Sequence, residues 1–244
     1  MKPAVGVLLL VASIHAAKLP PSFKKCNRKD PNLNQCILQA SEDGLRQLTK
    51  PFPSIGLPSF DPLEVTELTI GAGSDAVVNL EQKFKDCKLY GIDKTTFSKF
   101  EADFPNKNFK IVGVIPEIKM LCQYELSGKV LLLPVVGQGA STIILKSVKV
   151  ALDAPFEEIP KDGKTYFKFS VTNFSLDPEV ISFDFENLFN GDKTLGDNIN
   201  KVLNDNSKEV FADVKDGYAK GIGLILEKIL NSMFTKVSIE EAYD

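Results

Sequence analysis

The sequence predicts an α+β protein in which a long, highly curved antiparallel β-sheet wraps around a long C-terminal α-helix. Between residues 64 and 185, strand-like segments follow one another with only short turn signals between them. From Leu195 onward the spacing of apolar residues changes from two to about 3.6, the period of an amphipathic helix. The sheet and the helix each present one apolar face, so we expect the sheet to curl around the helix and bury both faces.

Short turn signals divide the β region into neighbouring segments. These strings contain glycine, proline, asparagine or aspartate and lie at residues 91–93, 105–106, 137–139, 162–163 and 177–178. Connections this short favour antiparallel pairing, because parallel neighbours need a crossover.

Alternation of apolar and polar residues predicts which strand faces are buried. Between residues 118 and 132 the apolar or amphipathic residues occupy even positions, as do Ile144, Val148 and Val150 in the next strand-like segment. The predicted sheet therefore has one apolar, buried face and one polar, solvent-exposed face.

Two helices are predicted. The first covers about residues 31–48, and the second about residues 195–234, which would be roughly 60 Å long at 1.5 Å per residue. The second exceeds the width of a small domain. We expect a bend or interruption at Gly217, Gly221 and Gly223, because each glycine costs about 1 kcal/mol in a helix interior.

The first 17 residues have the pattern of a secretory signal peptide, which leaves residues 18–244 as a single domain. Lys2 precedes an apolar run from residue 5 to residue 12, and the small residues Ala16 and Ala17 follow. This run is shorter than the ~20 residues that cross a bilayer, so no stable membrane insertion is expected. We expect a secreted, extracellular protein that is a monomer.

Charge and histidine content exclude several classes of function. The chain has 29 Lys and Arg against 32 Asp and Glu, a formal net charge of -3, so it lacks the basic surplus that holds nucleic acid. The one histidine, His15, lies in the signal segment, which leaves the mature chain without a Ser-His-Asp couple or a histidine-ligated zinc. We therefore expect no enzyme activity, no cofactor and no metal site.

Secretion changes how the four cysteines are interpreted, because thiols tend to pair in an oxidising compartment. Cys26 and Cys36 are predicted to form a disulfide that holds the N-terminal segment against the first helix. For Cys87 and Cys122, two buried free thiols are favoured over a second disulfide. Asn173 begins an Asn-Phe-Ser sequon near a strand end and is a candidate glycosylation site.

The aromatic composition predicts an apolar interior. Phe accounts for 17 residues, whereas Tyr accounts for 5 and Trp is absent. One interpretation is a packed core, and the other is a cavity between sheet and helix that holds an apolar molecule. Burying about 15 methylenes would gain roughly 12 kcal/mol, which after an association cost of about 4 kcal/mol still allows roughly micromolar binding. The residues expected to contact such a molecule are Met120, Tyr124, Val130, Leu132, Ile144, Val148, Phe167, Phe169, Phe183, Phe185, Val214, Tyr218, Ile222 and Ile225.

Several short strings also occur in an order that is characteristic of one family. The most specific is FENLFNGDKTLGD at residues 185–197, which leads into the C-terminal helix. Others are LPSFDPL at residues 57–63, YELSGK at 124–129 and LLLP at 131–134, together with the Cys26 and Cys36 pair. In these strings the mature chain resembles the insect takeout and haemolymph juvenile hormone-binding protein family.

The resemblance implies a tubular lipid-binding fold with an internal hydrophobic tunnel. Members of the family carry juvenile hormone or other terpenoid or fatty ligands, and some are linked to circadian output, feeding and chemosensory behaviour. The chain is therefore expected to be a secreted carrier of a small lipophilic ligand, more similar to the takeout branch than to the hormone binders. The alternative is an extracellular protein-interaction module with a packed, ligand-free interior.

Overall fold

The computed structural model describes residues 17–71, 78–130 and 133–244. The first 16 residues of the predicted signal peptide lie outside these ranges. The helices of this part of the chain are α1 (Leu33–Gln47), α2 (Lys193–Asp205), α3 (Ser207–Phe234) and α4 (Ile239–Ala242). The strands are β1 (Leu63–Ile70), β2 (Val78–Tyr90), β3 (Thr96–Asp103), β4 (Asn108–Val130), β5 (Leu133–Lys161), β6 (Lys164–Phe169), β7 (Asn173–Asp177) and β8 (Val180–Phe185).

The strands form one antiparallel sheet built on the long β4–β5 pair. The other edge of β4 pairs with β2 and, further along, with β3, and β1 pairs with the outer edge of β2. The other edge of β5 pairs in succession with β8, β7 and β6. Helix α3 contacts β1 and β2 on one side and β6, β7 and β8 on the other, so the sheet curls around it. This architecture confirms the predicted fold class.

Four of the predicted turns fall between elements, and one does not. Residues 91–93, 105–106, 162–163 and 177–178 lie at or between strand ends. Residues 137–139, by contrast, lie inside β5, because Val130 already pairs with Leu133. The glycines at this place serve close packing, since a Cβ on Gly137 would lie 2.8 Å from Leu188 Cδ2.

The side-chain alternation of the central pair changes phase at one point. Pro116 and Ser147 lie opposite each other in the β4–β5 register and are skipped by the pairing, and Ser147 has a φ of 51°. In β4 the buried residues are odd-numbered up to Ile115 and even-numbered from Met120. Strand β5 changes in the same way, so the two strands stay in register while both exchange faces.

This phase change makes the predicted orientation of Ile144 wrong. The buried residues of β5 next to it are Ile143 and Leu145, and Val148 is buried on the far side of the break. Ile144 pairs with the exposed Lys119 and lies on the outer face of the sheet. Counting alternate residues back from Val148 fails here because the strand is not regular at Ser147.

The preference for free thiols at Cys87 and Cys122 is also wrong. The structure has two disulfides, Cys26–Cys36 and Cys87–Cys122, and the second joins β2 to β4. The β2–β4 register shifts between Lys85 and Lys88, and this bulge brings Cys87 beside Cys122. Both sulfurs are buried in the main core, as expected, but they are bonded to each other.

The C-terminal helix is interrupted at Asn206, and the predicted interruption at the glycines is wrong. Helix α2 ends at Asp205, and the Asn206 side-chain amide caps it by donating to the Val202 carbonyl at 2.8 Å. All three glycines lie inside α3, and Gly217 and Gly221 let it approach the sheet closely. A Cβ on Gly217 would lie 2.7 Å from Ile70 Cγ2.

Asparagine side chains on the helices form hydrogen bonds with the unpaired backbone groups at the outer edge of the sheet. The Asn204 amide accepts from the Phe183 N–H at 2.9 Å and donates to the Phe183 carbonyl at 2.7 Å. Asn231 on α3 makes the same two bonds with Phe169, at 2.8 and 2.9 Å. At these positions a helix side chain takes the place of a neighbouring strand, which attaches α2 to β8 and α3 to β6.

Candidate functional site

An apolar cavity of about 280 Å³ lies at the C-terminal end of α3, between α1 and the sheet. Helix α1, the segment before it, strands β3–β6 and the last residues of the chain all contribute to its wall. The lining residues are Leu19, Phe23, Lys24, Cys26, Ile37, Ala40, Ser41, Gly44, Leu45, Leu48, Leu57, Phe97, Phe100, Phe109, Ile111, Ala154, Phe169, Leu230, Met233, Phe234, Ala242 and Tyr243. A cleft near the C-terminus is lined by charged side chains such as Arg28, Glu158 and Glu240. A larger cleft of about 600 Å³ lies beside α3 and is lined mainly by apolar residues, among them Leu57, Leu63, Ile225 and Ile229.

Helix α1 covers the cavity because its apolar stripe faces inward. The stripe has helical spacing and contains the buried Ile37 and Gly44. Two polar side chains attach the helix to the free edge of β3. The Glu42 carboxylate accepts from the Phe97 N–H at 2.7 Å, and the Asn34 side-chain oxygen accepts from the Ala102 N–H at 3.0 Å.

The segment before α1 is fixed to the C-terminal residues. The Glu241 carboxylate accepts from the Leu19 N–H and from the Lys25 ammonium, each at 3.1 Å. Burial acts to raise the pKa of Glu241, but these two donors outweigh it and lower the pKa below its usual value. The Cys26–Cys36 disulfide then joins the segment to α1, as predicted.

A cluster of aromatic rings forms the floor of the cavity on the sheet side. Phe109 and Phe169 lie at 5.5 Å between ring centroids, and Phe169 and Phe234 at 5.2 Å in an edge-to-face arrangement. Phe156 and Phe167 pack behind them at 4.5 Å. Such aromatic pairs are stabilised by about 0.5–1.5 kcal/mol beyond area burial, so the rings hold one another in place.

Polar groups are few in the wall. Lys24 is solvent-exposed at its edge, and Ser41 and Tyr243 complete the polar set. Burial raises the pKa of Tyr243 although the neighbouring Arg28 acts to lower it, so the phenol stays neutral at physiological pH. Arg28 itself lies over the Phe104 ring, 4.2 Å from its centroid. The wall therefore favours an apolar molecule over an ionic one.

The residues predicted to contact a ligand fall into several groups. Among the predicted ligand-contact residues that the structure describes, only Phe169 lines this cavity, and Phe167 packs behind it. Ile144 is on the outer face, and Leu132 lies outside the described residues. The remainder pack in or against the main core between the sheet and the helices, where their contact with a ligand stays a prediction: Met120, Tyr124, Val130, Val148, Phe183, Phe185, Val214, Tyr218, Ile222 and Ile225.

Sequence reasoning missed most of the actual lining. Ala40, Leu45 and Leu48 come from α1, which was predicted as a helix but assigned no inward face. Phe97 and Phe100 come from β3, whose pattern of burial is weak. The spacing of apolar and small residues along α1 is the signal that could have identified this wall.

The sequon residue Asn173 is exposed at the start of β7. Its side chain is therefore accessible to a glycan, and its modification stays a prediction. Among the described residues no group of three or more His, Cys, Asp or Glu side chains is placed to hold a metal ion. Within the same ranges, no helix combines the length and the apolar character needed to cross a membrane.

The curled sheet closed by a C-terminal helix, with an apolar cavity at one end, defines the class of tubular folds that bind lipophilic ligands. The chain belongs to the haemolymph juvenile hormone binding protein family, whose family model matches residues 5–244. That family is one of binding proteins for small lipophilic ligands and not of enzymes.

Individual relatives agree with this assignment. The chain is 24% identical over 234 residues to the circadian clock-controlled protein daywake of Drosophila melanogaster, covering 92% of this chain and 88% of the relative. It is 22% identical over 233 residues to the protein of the same name from Drosophila yakuba. In fold it is similar to the crystal structure of Takeout 1 from Epiphyas postvittana, with a TM-score of 0.78 at 24% identity over 90% of this chain and 99% of that chain.

Proposed function

We propose that the protein is a secreted carrier that holds one small lipophilic ligand in the cavity beneath α1, without covalent chemistry. The observation that carries the proposal is the cavity itself, whose volume of about 280 Å³ is lined mainly by Phe, Leu and Ala side chains. Soluble proteins seldom leave an apolar space of this size in their interior, because close packing is more stable. Candidate ligands are a terpenoid similar to juvenile hormone, a fatty acid or another lipid.

Two supporting observations concern the protein's location and context. The signal-peptide pattern of the first 17 residues and the two disulfides fit an extracellular protein. Relatives whose names state control by the circadian clock support a link to circadian output. N-terminal sequencing of protein secreted by cultured insect cells would test the first point, since an intact Met1 would contradict it.

Displacement of a fluorescent fatty probe tests the carrier function. Wild-type protein, stripped of lipid by organic extraction, should bind the probe at roughly micromolar concentration and release it to competing lipids. Ala40→Phe should abolish this binding, because Ala40 lines the cavity and the added ring would fill it. Gln39→Phe is the matched control, because Gln39 is the exposed neighbouring residue on α1 and adds the same ring outside.

The result separates the carrier from an interaction module with a ligand-free interior. Equal probe binding by both variants would show that the probe lies elsewhere and would contradict the cavity as the site. Absence of binding by all three proteins, together with no co-purifying lipid in native mass spectrometry, would contradict the carrier function itself.

A further inference from the structure

We propose that the cleft between β1 and α3 is a second lipid site, separate from the cavity beneath α1, and that it takes a single-chain lipid with a zwitterionic head group. The inference goes beyond the proposed carrier function, which concerns the cavity alone. The cleft has a volume of about 600 Å³. This lies within the range of about 300–1,000 Å³ that small-molecule sites occupy.

The cleft follows the free edge of β1. Five consecutive residues of the strand, from Leu63 to Glu67, line it. Because successive side chains of a strand point to opposite faces of the sheet, a cleft lined by consecutive residues borders the edge of the sheet and not one face. Asn204 and Asn231 attach the helices to the opposite edge of the sheet. Among the described residues, no helix side chain is hydrogen-bonded to the backbone of β1, so polar contacts do not close the cleft.

The inner part of the cleft is apolar. Ile225 and Ile229 lie about one turn apart on α3, and both pack against the main core. Leu63 and Val65 of β1 are buried and complete this surface. Leu57 lines both the cleft and the cavity beneath α1, and it is buried, so its side chain lies between the two spaces. An alkyl chain in the cleft would be shielded from water by these side chains.

The rim of the cleft carries charges of opposite sign on its two walls. Glu64 and Glu67 lie on β1, whereas Lys228 lies on α3 and Lys236 just beyond its end. All four side chains are exposed. None of them forms an ion pair with another residue of the described ranges, so the two walls do not neutralise each other across the cleft.

Opposite charges that face each other without pairing favour a head group that bears both signs. A phosphate would accept hydrogen bonds from the ammonium groups of Lys228 and Lys236. A quaternary amine in the same head group would lie against the carboxylates of Glu64 and Glu67. A head group of one sign would gain at one wall and be repelled at the other. The charges therefore favour a zwitterion, and the apolar surface below them favours its alkyl chain.

A head-group series in the Ala40→Phe variant tests the proposal. This substitution fills the cavity beneath α1, and it leaves the cleft unchanged because Ala40 does not line it. Dodecylphosphocholine, dodecyl phosphate, dodecyltrimethylammonium and dodecanol share one chain, and equilibrium dialysis below their micelle concentrations measures their binding to lipid-stripped protein. We expect one dodecylphosphocholine per chain, bound about fivefold more tightly than each of the other three.

Reversal of one charge and a matched control test the role of the rim in the same background. Lys228→Glu should weaken dodecylphosphocholine binding about fivefold and strengthen dodecyltrimethylammonium binding by a similar factor. Lys220→Glu makes the same change about two turns earlier on α3, outside the cleft, and should alter neither affinity by more than about twofold. Both lysines are exposed, so neither change disturbs a packed side chain.

The outcomes distinguish this inference from the carrier function. Absence of dodecylphosphocholine binding by Ala40→Phe would overturn the second site, while probe binding by wild type would still support the carrier. Binding of dodecylphosphocholine by Ala40→Phe, without probe binding by wild type, would overturn the carrier and leave the second site.

Two further results would contradict the choice of ligand. Equal affinities across the four head groups, or equal effects of Lys228→Glu and Lys220→Glu, would overturn the selection of a zwitterion. A dimer in analytical ultracentrifugation that Lys228→Glu dissociates and Lys220→Glu does not would show that a second copy of the chain, and not a lipid, occupies the cleft.

Discussion

Asn204 offers the sharpest test of how the helices are held to the sheet. Its side-chain amide accepts from the Phe183 N–H at 2.9 Å and donates to the Phe183 carbonyl at 2.7 Å and to the Asn200 carbonyl at 2.7 Å. Asn204→Ala removes all three bonds and leaves two partly buried backbone groups of β8 without a partner. We therefore expect a large loss of stability from a single polar side chain.

The magnitude follows from the cost of unpaired backbone groups. A buried donor or acceptor left without a partner costs about 1–3 kcal/mol, and the two bonds to Phe183 are only partly buried, so we expect a loss of about 2–4 kcal/mol for Asn204→Ala. Asn206→Ala is the control two residues further on. It removes one bond to the Val202 carbonyl at a helix end and should cost about 1 kcal/mol or less.

Urea denaturation followed by far-ultraviolet circular dichroism measures both variants. Asn204→Asp adds a pH dependence, because a carboxylate still accepts from Phe183 but only the protonated form can donate to its carbonyl. Relative to wild type, this variant should therefore recover stability as the pH falls through the range of a carboxyl pKa. Equal losses for Asn204→Ala and Asn206→Ala, or a loss under about 0.5 kcal/mol for the former, would refute the reasoning.

Three further predictions concern other parts of the molecule. Thiol titration of the denatured, unreduced protein should find no free thiol, and replacing Cys87 and Cys122 together should cost about 4 kcal/mol on the chain-entropy model, because their loop spans 35 residues. Gly217→Ala should destabilise the protein, because the added methyl group would clash with the sheet. Gly223→Ala should stabilise it by up to about 1 kcal/mol, because the added methyl group would lie 3.5 Å from its nearest neighbours. Thermal melts compare the two variants. Burial raises the pKa of Tyr124 from 10.0 to about 12, so the neutral phenol stabilises the fold below pH 10 and this stabilisation is lost between pH 10 and 12. Across that range the free energy of unfolding should therefore fall less for Tyr124→Phe than for wild type, as measured by denaturant titrations at each pH.

The sequence predicted the architecture because its main signals are local. A change of period from two to about 3.6 near Leu195 separates the sheet from the helices, and α2 spans Lys193–Asp205. Short turns then require antiparallel neighbours. The first helix was also located to within two residues of its observed bounds, Leu33–Gln47. None of these inferences needs the position of a distant residue.

The errors occurred where a distant partner decides the outcome. Whether Cys87 is bonded depends on the register of β2 against β4 and on the bulge in it, and neither is visible in one strand. The face of Ile144 depends on the irregularity at Ser147, which has Pro116 opposite it on another strand. Alternation along a single strand carries no information about such paired irregularities. Residues beyond the irregularity are therefore assigned to the wrong face of the sheet.

The cavity beneath α1 could not be predicted from the sequence for a different reason, which is that apolar periodicity does not distinguish a filled interior from a hollow one. What creates the space is a deficit of side-chain volume on one facing surface. On the inward stripe of α1, Ala40, Ser41 and Gly44 are small, and they line the same cavity as the rings of Phe109 and Phe169. These rings pack against each other and against Phe234, so they do not move to fill the gap left by the small residues and a space remains. In the main core, large aliphatic residues of the sheet and the helices meet, and side chains such as Phe84, Val130 and Val148 are fully buried. The size of side chains on the covering helix, and not the periodicity of the sheet, therefore determines where this cavity lies.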